Sequence, residues 1–457
     1  MSSLVENKIT YSNGSLKELL MLFFPIFLTL ISSHLMSFCD RYFLSLYSFD
    51  AFKAVNVASY ICIIFQELCS RVSSTNQVFV GHSLGEKKYG NIGVYTWQMI
   101  WFSCLTILLS PLFIYFGGNS YFSQNEAEIL GRQYFSIMMW GNFLFPLGMA
   151  FASFQVGIGK LKPLVVTSLI ANLLNIGLDY LLIKGVSGIL PPLGVVGAAF
   201  ATLFSQGVYC ILLFLLFVRH PLRERYQTKL AVFHPTFFWE VFRLGGVRIF
   251  GQPMILCAWA MGVRFVINQG GDYLIMVSLG TTLWTLLSSF GHSLGKALTA
   301  QFSFFLGQNN WPCVWKSLRS GVGFLLGMCL CLALPLVVWN EPVIRWVIKA
   351  NLDEKTFCLL SQGCFWLWIF FFLEGLTKIG TNLLISMKQT VFLFKTSFFT
   401  AFFTFLPFFL GFHKGQWGAD KVWLALCPGC LFIIMVEWLK VRRFLRHKHL
   451  QVAGSPL

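Results

Sequence analysis

Apolar stretches of about 20 residues, each long enough to cross a hydrocarbon layer roughly 30 Å thick as a helix, recur along this chain from Leu19 to the region of Trp438. A chain built this way has little else to become. Of its 457 residues 56% are hydrophobic and 11% charged, whereas a soluble domain carries about a quarter charged residues. A water-soluble fold of this size could not cover itself with so few charges. The expected fold class is therefore an all-α polytopic membrane protein in contact with a lipid bilayer.

The 50 Phe fit lipid-facing and interhelical packing, so no function is drawn from them as a group. A net charge of +16 would suit nucleic acid if it were gathered on a soluble domain, but the basic residues lie in short links between apolar segments, and no nucleic-acid partner is expected. Their distribution is ordered. With the N-terminus in the cytoplasm, Lys87 and Lys88, Lys160 and Lys162, Arg219, Arg223, Arg225 and Lys229, Lys316 and Arg319, Lys388, and the tail Lys440, Arg442, Arg443, Arg446 and Lys448 all fall on one side. The opposite links mix signs, as in Asp50 with Lys53, Glu126 and Glu128 with Arg132, and Asp353 and Glu354 with Lys355. Both termini are then cytoplasmic, which requires an even number of spans. The polar lead ends at Lys17 and Glu18, and the run from Leu19 lacks a small-residue cleavage site, so it reads as the first span and not a removable signal.

Twelve spans are predicted, near 17–39, 52–77, 92–116, 134–157, 163–183, 195–218, 241–266, 273–302, 317–338, 357–385, 391–412 and 421–440. Six precede the most polar internal stretch, His220 to His234, and six follow it. The organisation expected is a six-helix bundle over 1–220, a cytoplasmic linker over 221–240, and a second six-helix bundle with a basic tail over 241–457. A faint repeat relates the halves. Leu84 to Tyr89 after the second span has a counterpart in Leu306 to Trp311 after the eighth, and Gly159-Lys160 after the fourth is echoed by Ser386, Met387 and Lys388 after the tenth. Six spans per unit make the repeat parallel, and a site between such halves is a common transporter arrangement.

Thirteen Cys give no pairing framework: Cys62, Cys69, Cys257, Cys329 and Cys331 sit inside apolar runs and read as small buried hydrophobes. No metal and no organic cofactor is expected. The informative residues are carboxylates within spans, since a charge in hydrocarbon costs at least about 2.5–3.5 kcal/mol and needs a partner or a purpose. Glu437, beside the cluster beginning at Lys440, reads as a surface or snorkelling residue. Glu67 with Arg71, and Glu374 with Lys378, are each four residues apart on one helix face and can pair. Asp179 differs, because Asn172 and Asn175 stand at i−7 and i−4, with Gly177 read as opening space nearby. Amide oxygens and a carboxylate in a column suit Na⁺ or an exchangeable proton; a helix-to-helix hydrogen-bonding seam is the bland alternative. Asp40 reads as the end of the first span, where an interfacial ion pair with Arg41 stays open. Pro25, midway along that span, is expected to kink it.

At these residues the chain resembles a known family. Asn175-Ile-Gly-Leu-Asp179 through Ile183, then Gly185, Pro192, Leu193-Gly-Val-Val-Gly197-Ala-Ala199 and Ala201-Thr202, is similar to the fifth and sixth spans of the multidrug and toxic compound extrusion (MATE) family. Asp40 followed by Ala54, the link Val80 to Gly85, and Gly157 to Lys160 fit the same family. The resemblance implies twelve spans in two six-helix bundles around a central cleft, and efflux of small organic compounds, often cationic, driven by H⁺ or Na⁺. It also implies, for one branch, ion binding by an Asp in span one, an Asn and an Asp in span five and a Thr in span six, beside a proline-kinked first helix. Asp40, Asn175, Asp179, Thr202 and Pro25 occupy those positions. Another branch uses acids of spans seven, eight and ten; here only Glu374 answers, and Arg248, Arg264 and Lys296 stand in and near spans seven and eight, which leaves room for anionic or zwitterionic cargo.

The function expected is secondary active antiport of organic compounds by alternating access, with Asp40, Asn175, Asp179 and Thr202 coupling to the cation and Asn172, Glu374, Lys378, Glu67 and Arg71 as secondary candidates. A monomer in the plasma membrane, or a bacterial inner membrane, is the expected state. Two rivals were weighed. A lipid-linked saccharide flippase of the same superfamily would use Arg248, Arg264 and Lys296 to hold a pyrophosphate. A membrane-embedded enzyme would need metal-spaced acids or a His and Ser constellation, which the eight His do not supply, and no P-loop points to ATP.

Overall fold

A computed structural model describes residues 13–118, 122, 126–186, 188, 191–348, 353–415 and 417–453. The two chain ends that the charge pattern assigns to the cytoplasm, at 1–12 and 454–457, lie outside them. Almost all of the described chain is helical. The long helices are α1 (Leu16–Tyr47), α2 (Phe49–Ser74), α3 (Asn76–Gly85), α4 (Tyr89–Leu105), α5 (Glu126–Trp140), α6 (Leu144–Gly157), α7 (Leu161–Lys184), α8 (Gly194–Phe217), α9 (Pro235–Ile267), α10 (Gly271–Gly307), α11 (Trp311–Met328), α12 (Glu354–Ser386), α13 (Thr390–Phe408) and α14 (Cys427–Ala453).

Among the described residues eleven helices, some of them joined end to end, are long and apolar enough to span a membrane, and the count reaches the expected twelve when the pair α5 and α6 is taken as one span. That fourth span is not the single rod the sequence predicts. It bends by 47° between Trp140 and Leu144. Pro146 has no N–H for the carbonyl of Asn142, and its ring crowds that carbonyl, so the helix breaks in the preceding turn. The first span is longer than predicted, running on to Tyr47. Asp40 and Arg41, read as the mark of a membrane edge, are thus carried inside a continuous helix, because Tyr42 to Tyr47 extend its apolar pattern. The helix also continues through Pro25 without a break.

Burial is inverted relative to a soluble protein. Along α1 the exposed residues Phe24, Leu28, Ile31, Leu35, Phe38, Tyr42 and Leu46 follow one another at three- and four-residue steps, a continuous apolar stripe for lipid. Polar residues go inward instead, among them Asn76, Gln98, Asn175 and Asp179, all fully buried. Water is absent from a bilayer core, so a polar group there finds its partner inside the protein or none.

The chain divides into two compact units. The first holds Met21–Ile249 and Ser303–Asn310; the second holds Asn13–Leu20, Phe250–Phe302 and the residues from Trp311 on. The faint sequence repeat corresponds to a repeated backbone device. Lys87, Gly159, Asn309 and Lys388, at the ends of the second, fourth, eighth and tenth spans, all adopt positive φ, between 55° and 73°. After each, an amide bonds five residues back: Lys88 to Ser83, Lys160 to Gln155, Asn310 to Phe305 and Gln389 to Leu384, each at 2.9 Å. These are Schellman-type terminations, which satisfy the last carbonyls of a helix. Within the first unit, the ends of α3 and α10 meet backbone to backbone. A Cβ at Gly85 would strike the Phe304 carbonyl, and one at Gly307 would strike the carbonyl of His82.

Gly307→Val is expected to lower the melting temperature of detergent-purified protein by several degrees, an overpacking cost of about 1–3 kcal/mol. Gly177→Ala, whose added methyl meets nothing within 4 Å, is expected not to lower it. Scanning fluorimetry on the two variants measures the difference.

Candidate functional site

Helix α7 presents Ala171, Asn175 and Asp179 to the interior, with Asp179 and Asn175 at 0% exposure. Their four-residue spacing puts them on one face. Gly177 sits two residues, about 200°, away from Asn175, on the exposed face; it opens no space at the site. The close packing of α8 on α7 comes from other small residues. Gly194 has φ of +53° against the Tyr47 ring, and a Cβ at Gly197 would lie 2.6 Å from the Leu182 carbonyl. Ala198, Ala199 and Ala201 are buried beside it. Where lipid removes the hydrophobic drive between helices, small residues of this kind let backbones approach.

Asp40, half-buried on α1, meets Asp179 from the opposite side, and the two carboxyls are in hydrogen-bonding contact. Two carboxyl groups can bond to one another only if one carries a proton. With its nitrogen turned to the two acids, the orientation that their acceptor oxygens call for, the Asn175 amide donates from Nδ2 to Asp179 Oδ2 at 3.1 Å and to Asp40 Oδ1 at 3.3 Å. The sequence reading offered Asn175 as an oxygen ligand; between two acids its donor end is the one that is satisfied. Asp179 Oδ1 is buried with no hydrogen-bond partner among the described residues.

Asp40 opens on a cavity of about 130 Å³ that Ser37, Arg41 and Thr202 also line. The Thr202 hydroxyl donates to the Ala198 carbonyl at 3.0 Å, so it borders the cavity while bonded within its own helix. Asn172 belongs to the bland alternative: its Nδ2 donates 2.7 Å to Ser32 of α1, a seam between helices two turns from Asp179. No ion pair joins Asp40 to Arg41 among the described residues, since neighbours on a helix point about 100° apart and Asp40 faces Asp179.

The other acids are accounted for locally. Glu67 pairs with Arg71 at 3.4 Å, and Arg248 of the same unit donates from Nη1 to Thr75 at 3.2 Å. A second cavity of about 210 Å³ lies here, bordered by Gln66, Glu67, Ser70 and Gln206. In the second unit Lys378 pairs with Glu374 at 2.9 Å, and Trp284 Nε1 donates to the other Glu374 oxygen at 2.8 Å. Glu437 overturns the surface reading. It is 2% exposed, accepts a 2.6 Å bond from Thr381, and its remaining oxygen has no partner among the described residues. Its carboxyl rests against Gly380, where a side chain would collide with it. The small residue makes burial sterically available; the nearby lysine that suggested snorkelling, Lys440, instead stands over the Phe392 ring.

Sequence reasoning missed Tyr134, Ser59 and Gln66 at the cavity, and named Arg41 only as a possible partner of Asp40. Tyr134 is buried and hydrogen-bonds Ser59; inside an apolar run it carries no signal. Gln66 carried one, as an amide within a span. The pair Cys427 and Cys430, a Cys-x-x-Cys spacing at the start of α14, was also passed over, and both thiols are free. Cys62, Cys69 and Cys329 are buried as expected, while Cys257 and Cys331 are exposed.

With this geometry in hand, similarity to known proteins becomes informative. The MatE family model matches residues 25–181, a stretch that contains Asp40, Asn175 and Asp179. The chain is 25% identical over 344 residues to a probable multidrug resistance protein NorM of Thermotoga maritima, covering 72% of this chain and 71% of that one. It is 22% identical over 453 residues to a protein of the same name from Synechocystis sp., covering 96% and 97%. Its fold superposes with a TM-score of 0.82 on the outward-facing conformation of a multidrug resistance MATE family transporter of the MOP superfamily, at 15% identity and over 96% of this chain and 97% of that one.

One shared proton predicts an infrared signature. In a Glu437→Gln background, which removes the other unpaired buried carboxyl, purified protein at neutral pH is expected to show a protonated-carboxyl band that Asp179→Asn removes, because Asp40 alone beside two amides ionises; an unchanged band would show that the two acids do not share a proton.

Proposed function

We propose that this chain, which belongs to the MatE family through residues 25–181 and shares the fold of MATE transporters, exports small organic compounds in exchange for a cation admitted at the carboxyl pair of its first unit. The observation that carries the reading is the contact of Asp40 with Asp179, bridged by Asn175 and opening on a cavity. A buried acid pair is expensive when both members are charged and acceptable when a proton or small cation sits between them. Loading and emptying the pair therefore changes the stability of the helices that hold it. The names of the relatives support multidrug compounds as the cargo.

The proposed coupling ion is H⁺. Two carboxyls in contact call for a proton between them, and the Asn175 amide can then donate to both, whereas a bound Na⁺ would take its oxygen. In the outward state the pair takes up a proton from the crevice; in the inward state it releases it and cargo is bound. The ion can drive transport only because the two states hold it with different affinity. Neutralisation acts on α1 through Asp40, and Pro25, which leaves the Met21 carbonyl without its intrahelical donor, is the point at which that helix yields. Both termini face the cytoplasm in this reading, the monomer is the working unit, and no covalent step is involved.

Proteoliposomes under imposed gradients test it. A pH gradient is expected to drive efflux of a cationic dye and a Na⁺ gradient to leave it unchanged. Asp40→Asn and Asp179→Asn each lose about tenfold or more of coupled flux, as expected for groups whose charge state is the coupling event. Thr202→Val, whose hydroxyl is bonded in its own helix, keeps flux within about threefold. Coupled flux that survives Asp179→Asn removes the pair from the mechanism.

A further inference from the structure

Arg41 is left over once every carboxylate of the first unit's interior is assigned. It lines the 130 Å³ cavity beside Asp40, whose charge it feels, yet among the described residues no hydrogen bond and no ion pair within 4 Å holds its guanidinium. Asp40 is engaged by Asp179 and Asn175, and Glu67 by Arg71. A guanidinium within a membrane span is costly unless an anion or a ring of acceptors meets it. Six residues of α1 still follow it, so it is not at the end of the helix.

A second unpaired donor belongs to a residue of the same wall. Gln66 Nε2 is buried without a hydrogen-bond partner, and Gln66 borders both this cavity and the 210 Å³ one. Ile63 and Phe145 also border both, so the two cavities adjoin across an apolar wall with an amide set in it. Ligand sites are commonly about 300–1,000 Å³, mostly apolar with a few aimed polar groups; the two cavities together reach the low end of that range. Two donors lacking acceptors, set in such a wall, describe the complement of an oxyanion attached to an apolar body.

We propose that the first unit binds organic compounds that bear a carboxylate, with Arg41 and Gln66 holding the anionic group and Ile63 and Phe145 the apolar body. Arg41 is then a specificity residue that admits acids and zwitterions where Asp40 alone would favour cations. The assignment rests on the exporter reading above and names the cargo of that same unit.

The test is uptake into proteoliposomes under a pH gradient of a rhodamine dye with a free carboxylate and of its methyl ester, which removes the anion and keeps the rings. The native protein is expected to move the acid faster than the ester. Arg41→Gln is expected to slow the acid about tenfold or more while the ester stays within about twofold, the loss of one charge-assisted contact. Arg41→Lys, which keeps charge but not the planar fork, should restore part of the acid rate. Ester transport by Arg41→Gln reports that the variant is folded. Preference of the native protein for the ester, or an equal effect of Arg41→Gln on both dyes, overturns the cargo assignment and leaves the exporter reading standing. Failure of the native protein to move either dye on any gradient overturns both.

Discussion

A carboxyl group in hydrocarbon must be neutralised, and the contact between Asp40 and Asp179 is where this molecule does so with its own acids. The consequences run outward from that contact. In the proposed mechanism one proton serves two residues on helices far apart in sequence, and the relation of α1 to α7 then depends on occupancy of the pair. Asn175 donates to both acids and holds them at a common point. Asn172 and Ser32 fasten the same two helices two turns away, without charge. The polar column of α7 is thus divided between a titratable end and a merely adhesive one.

Close approach of backbones makes the arrangement affordable in packing terms. Gly197 sets α8 on the last turn of α7, and Gly85 and Gly307 let the ends of α3 and α10 touch carbonyl to α-carbon. Each of these glycines removes a side chain where none would fit. Gly177, read from its sequence neighbourhood as part of the site, has no such contact and lies on the opposite face. Proximity along a helix misleads unless the 100° step is followed.

The remaining charges show how much can be settled by i to i+4 neighbours. Glu67 with Arg71 and Glu374 with Lys378 close on themselves within one helix. Glu437 and Arg41 are two that are not settled this way. Glu437 is buried on a threonine against a glycine, with one oxygen unpartnered; Arg41 faces a cavity. Both stood next to an opposite charge in sequence, at Lys440 and Asp40, and neither is paired with it among the described residues.

Sequence alone determined what depends on composition and on period. The membrane-spanning helical class, the span count and the repeated helix ends followed from apolar length and turn residues; the scarcity of acids in hydrocarbon singled out Asp179 with Asn175, and the family resemblance joined Asp40 to them. Tertiary structure decided what depends on which faces meet. It bent the fourth span near Asn142, whose carbonyl takes the Phe145 amide at 3.2 Å where Pro146 offers none, set the Asn175 amide between two acids, buried Glu437, and brought Tyr134, Gln66 and Arg41 to a cavity whose walls come from helices distant in the chain. A linear pattern reports the face a residue occupies on its own helix; only the packed bundle supplies the partner on the other side.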